Sequence, residues 1–568
     1  MCGIAAFISS NPKYNSTAIV NKMLDHMAHR GPNGRGVEKI GETTIGMVRL
    51  SIIDVEPHDI PISNERNTHS IVYNGEIYNH EELYKKLSGV AKFRTKSDAE
   101  TVLHAYSHYG DNTWNMLNGM FSIAITDRVS GETVIVRDRS GEKPLYYCKG
   151  KDFYAFSSEI KALLDLIEPQ LNEHALSYQA YEFTFGEETL FKGIYALPPG
   201  EWIKVSANHF RKQVYWKIWD ELIDLSGDTT KLKNQLTELL YDAVQLRTNS
   251  TCHDVGIFMG GGVDSALIAC MSNPDHLYTC HYALGADFDE LYYAQLVAKQ
   301  LKKELVVIEP EPKDFIRLRE KLAYYLDSPC TWTSFSLWMI YERAQQDIKI
   351  SLTGDGADEL FGGYHRYHLL NHDEQIHQLE AMKRYEFLIN KYYGTPTERY
   401  VRLTSRLEKN NDKVEQFMHE TIGHYFDKFP KDIIHAMGLC DFYTTMQVLL
   451  QMSDRMSMAF GIEHRSPFLD HRIIQFAYSL PTELKIKNGK TKWLLKEVAK
   501  DIIPKEIAER VDKRGFSAPL NRWFGWDNQG KYNRGMYKNL AFNDWKQVFL
   551  EKDNKTQLID VYEGYYPN

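Results

Sequence analysis

The second residue of the chain is a cysteine, in the start Met1-Cys2-Gly3-Ile4-Ala5. Removal of Met1 would leave Cys2 with a thiol and a free α-amino group on one residue. An α-amino group titrates at about 7.7–8.0 and a thiol at about 8.5, so the amine can take the thiol's proton near neutrality. The result is a nucleophile with a built-in base, suited to attack on an amide carbonyl. Taken alone, the residue is more simply an accident of the start of the chain.

Two glycine clusters carry a second kind of chemistry. The first is Phe258-Met259-Gly260-Gly261-Gly262-Val263-Asp264-Ser265, which reads as a strand, a turn and a helix start. Glycines let a backbone approach an anion, and the following helix N-terminus offers free N–H groups and a positive dipole end. Ser265 adds a hydroxyl donor. No lysine follows the glycines, so this is not a Walker A loop. The plainer alternative is a glycine turn capped by Asp264 or Ser265. The second cluster, Thr353-Gly354-Asp355-Gly356-Ala357-Asp358-Glu359, puts three carboxylates within five residues. They repel each other unless a cation sits among them, and Mg²⁺ on a nucleotide polyphosphate is the natural one. A solvated acidic turn is the alternative.

The elements that must position these groups fall into two textures. Over the first 200 or so residues, short β-rich runs (44–48, 70–73, 121–126, 133–136, 153–157) alternate with turn signals, and helical stretches occupy 18–29 and 98–109. That pattern predicts an α+β arrangement of packed sheets. From about residue 236 helices dominate, and the apolar runs 255–259 and 349–352 read as buried parallel strands of a doubly wound α/β sheet. Such sheets bind ligands at the carboxyl ends of their strands. The stretch 373–441 is charged, tyrosine-rich and helical, without assignable chemistry.

At 568 residues the chain needs more than one core. Its formal net charge of −9 argues against nucleic acid or an anionic membrane surface as partner, while leaving room for a local basic pocket. Seven cysteines without a CxxC pair suggest a reducing compartment, and Cys270, in an apolar stretch, is expected to be a buried structural thiol. With no signal-peptide pattern and no apolar run near the roughly 20 residues of a membrane span, the expectation is a soluble, cytoplasmic protein.

Taken together, the motifs resemble the glutamine-dependent asparagine synthetases nearly end to end. The N-terminal half is similar to a class II (N-terminal nucleophile) glutamine amidotransferase through Cys2-Gly3-Ile4, His29-Arg30-Gly31-Pro32, Arg49-Leu50-Ser51-Ile52-Ile53-Asp54, Tyr73-Asn74-Gly75-Glu76, Ser97-Asp98-Ala99-Glu100, Arg137-Asp138-Arg139 and Lys143-Pro144-Leu145-Tyr146-Tyr147. The resemblance implies that Cys2 is the nucleophile and that Asn74 and Gly75 form the oxyanion hole. It places Arg49 on the glutamine carboxylate and Asp98, assisted by Glu76, on its ammonium, with Leu50, Ser51, Ile52 and Ile53 lining the pocket. The C-terminal half resembles an ATP-pyrophosphatase domain. There Met259, Gly260, Gly261, Gly262, Asp264, Ser265, Leu284, Thr353 and Gly354 fall where the nucleotide and diphosphate bind, and Lys492 matches the lysine that neutralises diphosphate. Asp355 falls at the acid tied to forming a β-aspartyl adenylate, and Asp264 and Asp358 are the candidates to reach ATP-bound Mg²⁺. Further matching stretches are Asp454-Arg455-Met456-Ser457, Glu463-His464-Arg465-Ser466-Pro467-Phe468-Leu469-Asp470 and Lys513-Arg514-Gly515-Phe516.

The implied fold is an Ntn glutaminase domain of sandwiched β-sheets at 1–205, a linker at 206–234, a doubly wound ATP-pyrophosphatase domain at 235–530 and a tail at 531–568. The implied partners are glutamine, aspartate and ATP, and the resemblance leaves a homodimer open. Three positions depart from the family pattern. Gly260 stands where the loop usually begins with Ser, Asn33 where Asp is usual, and Met47 where His is usual. Loss of one hydrogen bond to a charged group costs about 1.5–3 kcal/mol, so Gly260 bears directly on the diphosphate cradle.

Overall fold

The computed structural model describes residues 2–54, 56, 58–172, 182, 184, 186–225, 227–284, 290–364, 366–367, 395–405, 412–510, 518–525 and 534–551. The strand that follows Cys2 shows how the first half is layered. Every residue of Gly3–Ile8 is buried, because successive side chains point to opposite faces and both faces are covered. Ile4, Ala6 and Ile8 pack with Val72, Ala124, Ile135 and Ile203 of a second sheet. Ala5 and Phe7 pack with Val20, Met23 and Leu24 of the helix Ser16–Asp25. The far face of the second sheet, through Ile71, Tyr73, Ile123 and Ile125, meets Val102 and Leu103 of the helix Asp98–Tyr109.

The first sheet runs, edge to edge, Ile194–Ala196, Tyr146–Lys149, Tyr154–Ser157, Gly3–Ile8, Thr43–Arg49, Gly34–Ile40. The second runs His209–Val214, Glu201–Ser206, Thr133–Arg137, Gly119–Asp127, His69–Ile77, Ile62–Ser63. All of these neighbours pair antiparallel. The helix expected over 18–29 begins earlier, where Asn15 caps the Ala18 N–H, and stops at Asp25. A tight 3-10 turn, Ala28–Arg30, then sends Arg30 into the interior.

The second half is built on a five-stranded sheet in the order Leu305–Ile308, His276–Cys280, Val255–Phe258, Ile350–Leu352, Glu463–Arg465. Its neighbours pair parallel. The two glycine loops therefore leave the carboxyl ends of adjacent central strands, as the apolar runs predicted.

Four expectations need correction. The segment 206–234 contains the strand His209–Val214, paired along its length with Glu201–Ser206, and the start of the helix Thr229–Asn249. This strand is an exposed edge held by backbone hydrogen bonds, so it carries no alternating apolar signal. Residues 531–568 include the helix Arg534–Phe549, which buries Tyr537, Ala541, Trp545 and Val548 at helical spacing against the helix Pro312–Leu326. The stretch Ile433–Met458 spans 26 residues and is apolar and long enough to cross a membrane, yet 67% of its apolar window is buried inside the protein. Cys270 is half-buried, although all seven cysteines are free, as their spacing suggested. Of 373–441, the described parts are helical at Pro396–Thr404, Asp412–Lys428 and Ile433–Tyr443, and the rest lies outside the described residues.

A buried cluster of charges joins the halves. Arg30 donates to both oxygens of Asp454 (2.8 and 3.1 Å) and to Glu159 (2.9 Å). Arg455 lies 3.0 Å from Glu159 and 3.1 Å from Asp327, and Lys161 is 3.0 Å from Asp327 and bonded to Glu159. Three cations thus face three carboxylates. Lys161, Arg455 and His29 hold the Glu159 carboxyl well below its usual range despite burial, and Arg30 lowers that of Asp454. Removing one partner from such a buried network leaves an uncompensated charge and costs about 3–5 kcal/mol. Asp454→Ala is therefore expected to lower the calorimetric unfolding midpoint by several degrees; a midpoint within about 1 °C of the parent would show that the cluster carries no such weight.

Candidate active site

Cys2 sits at the mouth of a cavity lined by Met47, Arg49, Leu50, Tyr73, Gly75 and Asp98, with Ser51, Ile52, Ile53, Asp54, His58 and Glu76 completing the rim. Its backbone N–H donates to Asn74 Oδ1 (3.0 Å), and its carbonyl accepts from Arg30 Nε (3.0 Å). Asn74 thus turns its carbonyl to the Cys2 nitrogen, while its Nδ2 donates to Ser122 Oγ (3.3 Å). Nδ2 carries two hydrogens, and this bond uses one of them. Burial pushes the Cys2 thiol up; the positive chain terminus, a hydrogen bond from the Leu50 N–H and the Arg49 charge pull it back.

The groups expected to hold glutamine lie around the same cavity. Asp98 Oδ2 accepts from Tyr73 Oη (2.6 Å) and the Ile77 N–H (3.0 Å), and Oδ1 accepts from the Ala99 N–H (3.0 Å), so this buried carboxylate is firmly oriented. Burial nonetheless raises its pKa. Arg49 donates to the carbonyls of Asp54 and Glu56 (3.2 Å to the latter), so its fork ties these two residues to the end of the strand Thr43–Arg49. The two departures in this half have visible roles. Asn33 Oδ1 accepts from the Ser51 N–H (3.1 Å), and Met47 is a buried apolar wall beside Cys2.

The second site lies at the two glycine loops. Ser265 Oγ is tied back to the carbonyls of Gly260 (3.3 Å) and Gly262 (3.4 Å), which stabilises the turn. Gly261 N–H is occupied by the Glu290 carboxylate, itself paired with Arg510 (2.8 Å), so an incoming anion competes with Glu290 for that donor. Met259 is buried at the strand end, donating its N–H to the Tyr278 carbonyl (2.7 Å), and Leu284 lies beyond the neighbouring strand, its carbonyl bonded to Arg522 (2.9 Å). Lys492, at φ +52 before the helix Trp493–Ala499, reaches both oxygens of Asp264 (2.8 Å each) and Asp358 Oδ1 (2.6 Å). Two carboxylates thus converge on one buried ammonium. Lys513-Arg514-Gly515-Phe516 lies outside the described residues.

The structure also brings in residues that motif reading left without a role. Glu463, from the edge strand of the parallel sheet, lines the Cys2 cavity. Arg465 donates to Glu463 Oε1 (2.6 Å) and lies 3.5 Å from Glu76. Burial drives Glu76 well above the usual carboxylate range, whereas Arg465 holds Glu463 below it. The available signal was three consecutive buried polar residues in a strand just before Pro467, a pattern that demands partners from elsewhere.

Comparison with known proteins agrees with this geometry. Residues 1–216 match the glutamine amidotransferase domain, which sets the class of the Cys2 half. Residues 235–562 match asparagine synthase, and the chain belongs to that family of ATP-dependent ligases. It is 28% identical to asparagine synthetase [glutamine-hydrolyzing] 1 of Bacillus subtilis, over 99% of this chain and 93% of that one. It is 30% identical to putative asparagine synthetase [glutamine-hydrolyzing] 2 of Methanocaldococcus jannaschii, over 64% of this chain and 76% of that one. It is also 27% identical to amidase chry2 of Gibberella zeae, over 96% of this chain and 94% of that one.

The two glycine loops touch at Gly354, where an added Cβ would meet Asp264 Cβ at 2.7 Å and the Ser265 nitrogen at 3.1 Å. Gly354→Ala is expected to force the loops apart and weaken ATP binding by about tenfold or more, while glutamine hydrolysis stays at the parental rate. Nucleotide binding by calorimetry, with a glutaminase assay alongside, checks both halves of this expectation.

Proposed function

We propose that the chain makes asparagine from aspartate, with ATP as activator and glutamine as nitrogen donor. The observation that carries this reading is one chain holding a cavity around Cys2 and a pair of glycine loops bearing Asp264, Asp355, Asp358 and Lys492, joined by a shared strand. After Met1 is removed, the Cys2 amine rests on Asn74 Oδ1 and is available to take the thiol proton. The thiolate attacks the glutamine amide carbon. Asn74 Nδ2 and the Gly75 N–H receive the developing oxyanion, and ammonia leaves as the γ-glutamyl thioester forms. Water then releases glutamate.

A carboxylate is a poor electrophile, so the acceptor must first be given a better leaving group. In the second site the aspartate β-carboxylate displaces diphosphate from ATP to form β-aspartyl-AMP. Lys492 and the 260–265 loop hold the departing diphosphate. Asp264 and Asp358 would hold Mg²⁺, which neutralises phosphate charge when bound. Ammonia attacks the acyl carbon, AMP leaves, and asparagine remains. The strand Glu463–Arg465, which borders the Cys2 cavity on one face and the Asp355 loop on the other, supports transfer of ammonia inside the protein.

A second reading changes only the acceptor. Relatives named amidases span this chain as fully as those named asparagine synthetases, at 27% and 26% identity. Pyrophosphate release with ATP, Mg²⁺ and ammonia separates the two readings, since ammonia bypasses Cys2. Aspartate-dependent release supports the first; release only with another carboxylate overturns it. Cys2→Ala is expected to lose glutamine-driven synthesis by about 10³-fold or more and to keep ammonia-driven synthesis. Failure of added ammonia to rescue this variant would contradict two separate sites.

A further inference from the structure

The first glycine loop carries a closed ring of contacts at Gly261 that the reaction described above does not use. The Gly261 N–H donates to Glu290 Oε2, Glu290 Oε1 pairs with Arg510 Nη2 (2.8 Å), and Arg510 Nη1 donates back to the Gly261 carbonyl (3.0 Å). Glu290 immediately precedes the helix Leu291–Leu301, and Arg510 lies two residues past the short helix Lys505–Ala508. The guanidinium also lies over the Tyr293 ring, 3.9 Å from its centroid. Both charged side chains are largely buried, so salt screens the pair little. The turn is shaped around it: a Cβ on Gly261 would collide with Arg510 Nη1 and Glu290 Oε2.

The loop's own side chains offer an anion little. Gly260 has none, and the Ser265 hydroxyl is turned to the carbonyls of Gly260 and Gly262. Glu290 therefore rests, as an anion, on a backbone N–H of the turn that is read as the diphosphate cradle, with a cation beside it. A diphosphate oxygen and a carboxylate cannot both take the Gly261 N–H, and side by side they repel. When the carboxylate gives way, Arg510 loses its counter-charge but stays over the loop through the Gly261 carbonyl and the Tyr293 ring. A buried guanidinium without its carboxylate is costly, and phosphate oxygens, which match its fork, remove that cost.

We propose that Arg510 is a further diphosphate-binding residue of the synthetase site, and that Glu290 is the anion that holds the diphosphate's place on Gly261 until ATP arrives. This rests on the reading that the 260–265 loop holds the departing diphosphate. Glu290 returns to the Gly261 N–H as diphosphate leaves, so one anion is exchanged for another at each end of the reaction. The pair thus opposes tight retention of the product while Arg510 supplies the charge that binds it.

The test is calorimetric titration of inorganic pyrophosphate, with Mg²⁺, into the full chain and its variants. Glutamine hydrolysis, at the other site, reports that each variant is folded. Glu290→Gln keeps the shape and removes the competing charge, and is expected to bind pyrophosphate about fivefold more tightly than the parent. Arg510→Ala is expected to bind it about 10–100-fold more weakly, and Arg510→Lys to recover part of that loss. A pair that only braced the turn would lose affinity from either side. A Glu290→Gln variant no tighter than the parent would therefore overturn the assignment, as would Arg510→Ala binding within about twofold of the parent. A parent that binds neither pyrophosphate nor ATP while hydrolysing glutamine would instead overturn the reading of the loop as the diphosphate cradle and, with it, this inference.

Discussion

Everything in this molecule depends on a patch of charge removed from water between its two halves. Arg30, Lys161 and Arg455 face Glu159, Asp327 and Asp454, and all six side chains are buried. Such clusters add little net stability over a well-packed apolar patch, because desolvation consumes most of the attraction. What they provide is register, since a shifted docking would separate buried charges from their partners. That matters here because Arg30 also holds the Cys2 carbonyl, and Asp454 follows Ser453, which holds Asp355. Cys2 in one half and Asp355 in the other are thus both tied to residues in or next to the same cluster.

The apolar packing makes the same point. Leu50, Ile52, Tyr78 and Met120 from the glutaminase half share a core with Val255, Ile257, Leu352 and Phe468 from the synthetase half. Cys252 and His253 reach the carbonyls of Ile52 and Ser51, so the loop that walls the glutamine cavity is braced by the other half. Neither half presents a finished surface of its own at this boundary.

Much of this was legible in the residues. Two glycine clusters after apolar runs and the helical stretch 98–109 are local signals, and each appears where expected. The invisible parts are non-local. The strand His209–Val214 is polar because nothing covers it, and only its backbone partner makes it a strand. Glu463, His464 and Arg465 look unsuited to a buried strand until Glu76, Asp355 and the backbone of the 247–250 segment are placed beside them. The orientation of Asn74, carbonyl toward Cys2, is equally a property of the assembled sheet, since it depends on Ser122 lying opposite in the neighbouring strand.

The strand Glu463–Arg465 also bears on how such a protein diversifies. Its backbone is a partition one chain thick, and each side chain on it belongs to one chamber or the other. A substitution there that suits a new acceptor shifts the wall of the glutamine chamber as well, so the nitrogen supply is disturbed whenever the acceptor side is remodelled. Leu284 and Glu290, by contrast, lie beside the other glycine loop, and neither lines the Cys2 cavity.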